Sequence, residues 1–104
     1  MITRFLTSAA LTATAAPALA TEISFNLNWY PQGEHCGFFQ AEAAGLYDAA
    51  GLEVDILPGG PNVNVNQLVV GGRVDLGMGS SFTALNMADQ DIDAVTVAAF
   101  FQKS

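Results

Sequence analysis

With 104 residues, 51% of them hydrophobic and 12% charged, the chain has enough apolar material for one small core and too little length for two domains. A formal net charge of -7 opposes nucleic acid and anionic membrane surfaces, so no nucleic-acid partner is expected. The single cysteine, Cys36, excludes an intrachain disulfide and any CxxC metal or redox pattern.

Met1 to Arg4 is a short basic head, Phe5 to Ala16 an apolar, Ala-rich run, and Ala18-Leu19-Ala20 a small-x-small cleavage pattern. The apolar run falls short of the roughly 20 residues a spanning helix needs, and Pro17 interrupts it. Residues 1–20 are therefore expected to be a signal peptide cleaved after Ala20, leaving 21–104 as an exported, periplasmic chain. Cleavage would remove Arg4 and leave Arg73 and Lys103 against all ten acids, a still more acidic and soluble polypeptide. Cys36 does not follow a lipobox-like L-x-x-C at the end of the leader. It reads as a small residue on a helix rather than a lipid anchor or a nucleophile.

From Glu22 to Trp29, Ile23, Phe25, Leu27 and Trp29 alternate with polar residues, the period of a strand. Pro31 and Gly33 break it. From His35 onward Phe38, Phe39, Ala43, Leu46, Tyr47 and Ala50 recur at helical spacing, which predicts one amphipathic helix ending at Gly51. Leu52 to Leu57 returns to extended, β-branched character until Pro58-Gly59-Gly60-Pro61 stops it. Asn64 suits the cap of a short helix through Val70, followed by a short strand from Val74 to Met78. Ser80 or Ser81 then caps a helix containing Phe82, Leu85, Met87 and Ala88. The apolar run Ala94 to Phe101 is expected to be a buried parallel strand. Strands alternating with helices imply an α/β fold with a parallel sheet, whose ligands bind beyond the carboxyl ends of the strands. Asp89, Asp91 and Asp93 lack the glycine and distal Glu of an EF-hand loop and read as a solvated connection, with no metal implied.

The string Asn28-Trp29-Tyr30-Pro31, then His35, then Ala44-Gly45-Leu46-Tyr47 and Gly51-Leu52-Glu53-Val54, resembles the solute-binding family that includes alkanesulfonate-, nitrate- and thiamine-pyrimidine-precursor-binding proteins. Gly72-Arg73-Val74-Asp75-Leu76-Gly77 adds a second matching block. The order and spacing of these blocks, rather than any one of them, carry the resemblance across Glu22 to Lys103. It implies a type II periplasmic-binding-protein-like fold, with two α/β lobes closing on a ligand and only part of the first lobe present here. On this reading the chain looks truncated, an N-terminal part of a solute-binding domain.

Trp29 and Tyr30 fall where the first strand gives way to its loop, so an indole or phenol there could stack on a flat heterocycle, although Trp29 also continues the apolar face of the strand. The resemblance places His35 facing the cleft, where a neutral imidazole could hydrogen-bond a ring nitrogen or an acidic group; Glu34 beside it is a weaker candidate. Gly79-Ser80-Ser81 joins a strand end to a helix start, and its backbone N–H groups and hydroxyls could hold a carboxylate, sulfonate or phosphate. Gly59, Gly60 and Asn62 form a similar loop after the second strand.

The resemblance implies a monomeric, non-enzymatic receptor with no cofactor, capturing a small-molecule ligand for an ABC permease in the membrane. A thiamine-related pyrimidine or similar heterocycle ranks ahead of sulfonates and nitrate. The competing reading is an enzyme. The same family contains a eukaryotic pyrimidine synthase that builds a thiamine precursor from pyridoxal phosphate, with a lysine for the Schiff base and a histidine four residues on. Gly79 and Thr83 stand at those positions here, and without an amine no Schiff base forms. A third expectation is that the chain as it stands has no activity by itself.

Overall fold

The computed structural model describes residues 18–100. Strand β1 (Thr21–Asn26) leads through a 3-10 turn (Gly33–His35) into α1 (Cys36–Ala43) and α2 (Leu46–Ala49). Strand β2 (Leu52–Leu57), α3 (Val65–Val70), β3 (Leu76–Gly77) and α4 (Ser81–Asp89) follow. The strands form one parallel sheet in the order β2-β1-β3, with β1 central. This is the α/β architecture expected, a partial lobe of the periplasmic-binding-protein type.

The β1–β2 register runs from Thr21 opposite Leu52 to Asn26 opposite Leu57, and the Leu27 amide adds one more bond to the Leu57 carbonyl at 2.9 Å. On the other edge Phe25 and Asn26 face Leu76 and Gly77, and the Met78 amide donates to the Asn26 carbonyl at 2.9 Å. All three strands therefore deliver their exit loops to the same end of the sheet. The apolar stripe of β1 culminates in Leu27, which is fully buried, with Val65 and Val74 beside it in the core. Phe25 meets Phe38 of α1 edge-on at 4.7 Å, seating that helix on the sheet.

Four sequence expectations need adjustment. The single helix over His35 to Ala50 is two, because Gly45 takes a left-handed φ of 69° and ends α1. The Tyr47 hydroxyl bridges the break by donating to the Phe38 carbonyl at 3.1 Å. The third strand shrinks to Leu76–Gly77 because the Arg73 and Val74 amides donate to the Leu68 carbonyl at the end of α3, which holds them out of the ladder. Trp29 lies beyond β1 in a loop and is 43% exposed.

The fourth is the run from Ala94. Residues 94–100 form no strand, Val95 and Val97 are 87% and 75% exposed, and Phe101 lies outside the described residues. A β-branched apolar run becomes a strand only when a neighbouring edge accepts its backbone groups, and no backbone bond joins 94–100 to the sheet among the described residues. Phe100 instead rests edge-on against Phe38 at 5.3 Å. Asp91 has a left-handed φ of 54° in the connection after α4, and no cluster of three metal-ligating side chains occurs among the described residues. Cys36 is exposed at the start of α1, and no described helix is long and apolar enough to cross a membrane. The proposed leader lies largely in 1–17, outside the described residues.

Candidate functional site

The exit loops of β1 and β2 are locked together by close backbone approach. Gly59 donates its N–H to the Trp29 carbonyl at 3.0 Å, and a Cβ at Gly59 would collide with the Leu27 carbonyl oxygen and lie 2.6 Å from the Trp29 nitrogen. Only a glycine fits there. Buried Asn26 adds a second tie, its Nδ2 donating to the Leu27 and Pro58 carbonyls. Gly77 performs the same service on the other side: a Cβ there would come within 2.6 Å and 2.7 Å of the Val65 and Val69 methyls, so the missing side chain lets α3 lie directly on β3.

Between these loops and the starts of α3 and α4 opens a cleft of about 570 Å³. Asn28 from the first loop, Asn62 and Asn64 from the second and Asn66 from the first turn of α3 bring four carboxamides to it, and Ser80 and Thr83 bring two hydroxyls. Val63, Val65 and Met78 supply apolar surface. Two of the polar groups also cap helices: Asn64 Oδ1 accepts the Gln67 N–H at 3.1 Å, and Ser80 Oγ accepts the Thr83 N–H at 3.2 Å. Among the described residues, no charged side chain lines the cleft. The two displaced pKa values among the described residues lie elsewhere: Tyr47 is raised by burial and then by Glu42, and Asp75 is lowered by its bonds from Ser24. Among the described residues this wall therefore offers neutral donors and acceptors.

Asn62, Gly79 and Ser80, singled out in the sequence, do meet in this cleft, whereas Trp29, Tyr30, His35, Gly60 and Ser81 do not line it. Trp29 and Tyr30 sit edge-on to each other at 5.7 Å, both exposed at the same end of the sheet, and the Tyr30 ring covers Gly60. Ser81 opens α4.

His35 departs from the position expected of it. Its ring is fully buried and bonded within the chain, Nδ1 accepting from the Gln32 amide at 3.2 Å and Nε2 lying 2.9 Å from Asn28 Oδ1. The Glu34 carboxylate stands 3.4 Å from Nε2. Sequence reasoning missed Asn28 and Asn66, and treated Asn64 as a cap alone. The available signal was asparagine recurring at 62, 64 and 66 directly after a strand, at the end where ligands gather.

Parallel strands whose exit loops build a polar cleft at one end of the sheet define the class, a partial α/β lobe of the binding-protein type. The chain belongs to the NMT1/THI5-like family, which it matches over residues 32–104. Among curated proteins it is similar to the 4-amino-5-hydroxymethyl-2-methylpyrimidine phosphate synthases THI11, THI13 and THI5 of Saccharomyces cerevisiae, each 30% identical over 83 residues. The match covers 79% of this chain and 24% of each relative, so the chain spans about a quarter of their length. The expectation of a non-enzymatic protein is corrected by these names, because the relatives are synthases.

Pyridoxal phosphate is the group the sequence resemblance attached to the synthases, and the described residues do not fit it. The position expected to hold the Schiff-base lysine is Gly79, and no lysine occurs among the described residues.

Proposed function

We propose that the cleft binds a thiamine-type pyrimidine or a similar small neutral heterocycle, as one wall of the substrate-binding component of an ABC importer. The observation that carries the ligand class is the lining itself: four carboxamides and two hydroxyls around apolar surface, with no cation to compensate a sulfonate, nitrate or phosphate. Carboxamides match the alternating donors and acceptors on the edge of an aminopyrimidine. The names of the yeast relatives, which carry a 4-amino-5-hydroxymethyl-2-methylpyrimidine phosphate, support the pyrimidine ring of this class. Export is supported by the basic head, apolar run and cleavage pattern of Met1 to Ala20. A membrane permease is then the partner, and the acidic, monomeric chain stays in solution until it delivers its cargo.

Isothermal titration of the chain with 4-amino-5-hydroxymethyl-2-methylpyrimidine, taurine and nitrate tests the ligand class. Saturable heat is expected for the pyrimidine and none for the anions; the reverse result defeats the reading. Cell fractionation with N-terminal sequencing tests export, the expected product being periplasmic and starting at Thr21.

A further inference from the structure

Both ring nitrogens of His35 are occupied within the chain, and their partners fix the proton. A backbone amide can only donate, so Nδ1, 3.2 Å from the Gln32 nitrogen, carries the lone pair. The proton of the neutral ring is then on Nε2, which donates to Asn28 Oδ1 at 2.9 Å. That in turn orients the carboxamide: the oxygen of Asn28 faces the histidine, and the Nδ2 donors face the other way. The imidazole is fully buried while Asn28 is exposed and lines the cleft. The 3-10 turn holds the ring in place, since the His35 amide donates to the Gln32 carbonyl at 2.9 Å.

We propose that His35 is a positioning residue whose Nε2–H holds the Asn28 carboxamide with its N–H groups turned to the cleft, so that this wall selects ligands presenting a lone-pair acceptor, such as an unprotonated ring nitrogen. The proposal rests on the reading of the cleft as a ligand site and adds to it a direction of hydrogen bonding. Asn28 supplies the donor, and His35 touches no ligand. A flat ligand of the same shape without the acceptor leaves the Asn28 N–H groups without a partner from the ligand, which costs it affinity relative to one that presents the acceptor.

His35 is the only histidine in the chain, so its ring is readable without assignment. In the chain labelled with 15N-histidine, Nε2 is expected to appear as the protonated nitrogen and Nδ1 as the bare one; the opposite tautomer overturns the proposal. Binding is read with two probes, 4-amino-5-hydroxymethyl-2-methylpyrimidine and its benzene analogue, in which carbon replaces both ring nitrogens. The pyrimidine is expected to bind the unmodified chain about tenfold more tightly than the analogue. Asn28→Asp keeps an acceptor for His35 and removes the donors, so it should lose that tenfold for the pyrimidine and nothing for the analogue. His35→Ala should weaken the pyrimidine similarly, and His35→Gln, whose amide N–H can still reach Asn28, should restore most of it. Equal binding of both probes by all variants overturns the positioning role and leaves the cleft reading standing. Binding of neither probe by the unmodified chain defeats the cleft reading, and ligand selection with it.

Discussion

Asp75 sits just ahead of β3 and gives β1 an edge partner where the third strand is too short to do so. Its carboxylate accepts from both the backbone N–H and the hydroxyl of Ser24, at 2.8 Å and 2.7 Å, and its own amide returns a bond to Ser24 Oγ at 3.0 Å. The backbone N–H of Ser24, then its hydroxyl, hold the Asp75 carboxyl below its ordinary value. As pH falls, the unfolded chain takes up this proton before the folded one does. The stability contributed by Asp75 is therefore complete above about pH 4 and disappears as pH drops through the lower folded value. Asp75→Asn should melt at a lower temperature than the unmodified chain at pH 7, with the difference shrinking toward pH 2. Melting curves across that range check it, and parallel curves at every pH would sink the assignment.

At the scale of elements, glycine is the residue whose meaning changes most with its surroundings. Gly77 is where α3 meets β3, and a methyl there would sit inside contact distance of two valine side chains. Gly77→Ala should thus destabilise the fold by about 1–3 kcal/mol through overpacking. Gly37 lies inside α1 with nothing within 4 Å of an added Cβ, so Gly37→Ala should raise stability by about 1 kcal/mol through helix propensity. Urea midpoints of the two variants, shifted in opposite directions, check the pair. The same contrast explains what was legible in the sequence. The alternation of β1, the run of β2 and the caps Asn64 and Ser80 are local signals, and each element formed close to where those signals placed it, β1 stopping at Asn26, short of Trp29. The left-handed Gly45 inside a helical pattern and the fate of 94–100 depend on neighbours instead, as a strand needs an edge to pair with. His35 was visible as a special residue. Its burial follows from the turn that folds Gln32 and Asn28 around it, which no periodicity reports.

For the whole molecule, the cleft can be no firmer than the junction between the loops that form it, and that junction is Gly59. The three atoms nearest an added methyl there are all backbone, from Leu27, Asn28 and Trp29, so moving a side chain aside does not make room. The loops must separate, the Gly59 to Trp29 hydrogen bond must break, and Asn28 must move away from the asparagines of the second loop. Gly59→Ala should accordingly lose more than the roughly 1–3 kcal/mol of side-chain overpacking and weaken pyrimidine binding by more than tenfold, because site and core share this contact. Gly33→Ala, facing open space, should leave stability within about 0.5 kcal/mol and binding unchanged. Denaturation and titration of both variants give the answer directly. If Gly59→Ala lost stability but bound as before, the ligand wall would have to lie away from the β1 and β2 loops, and the four-asparagine cleft would not be the site.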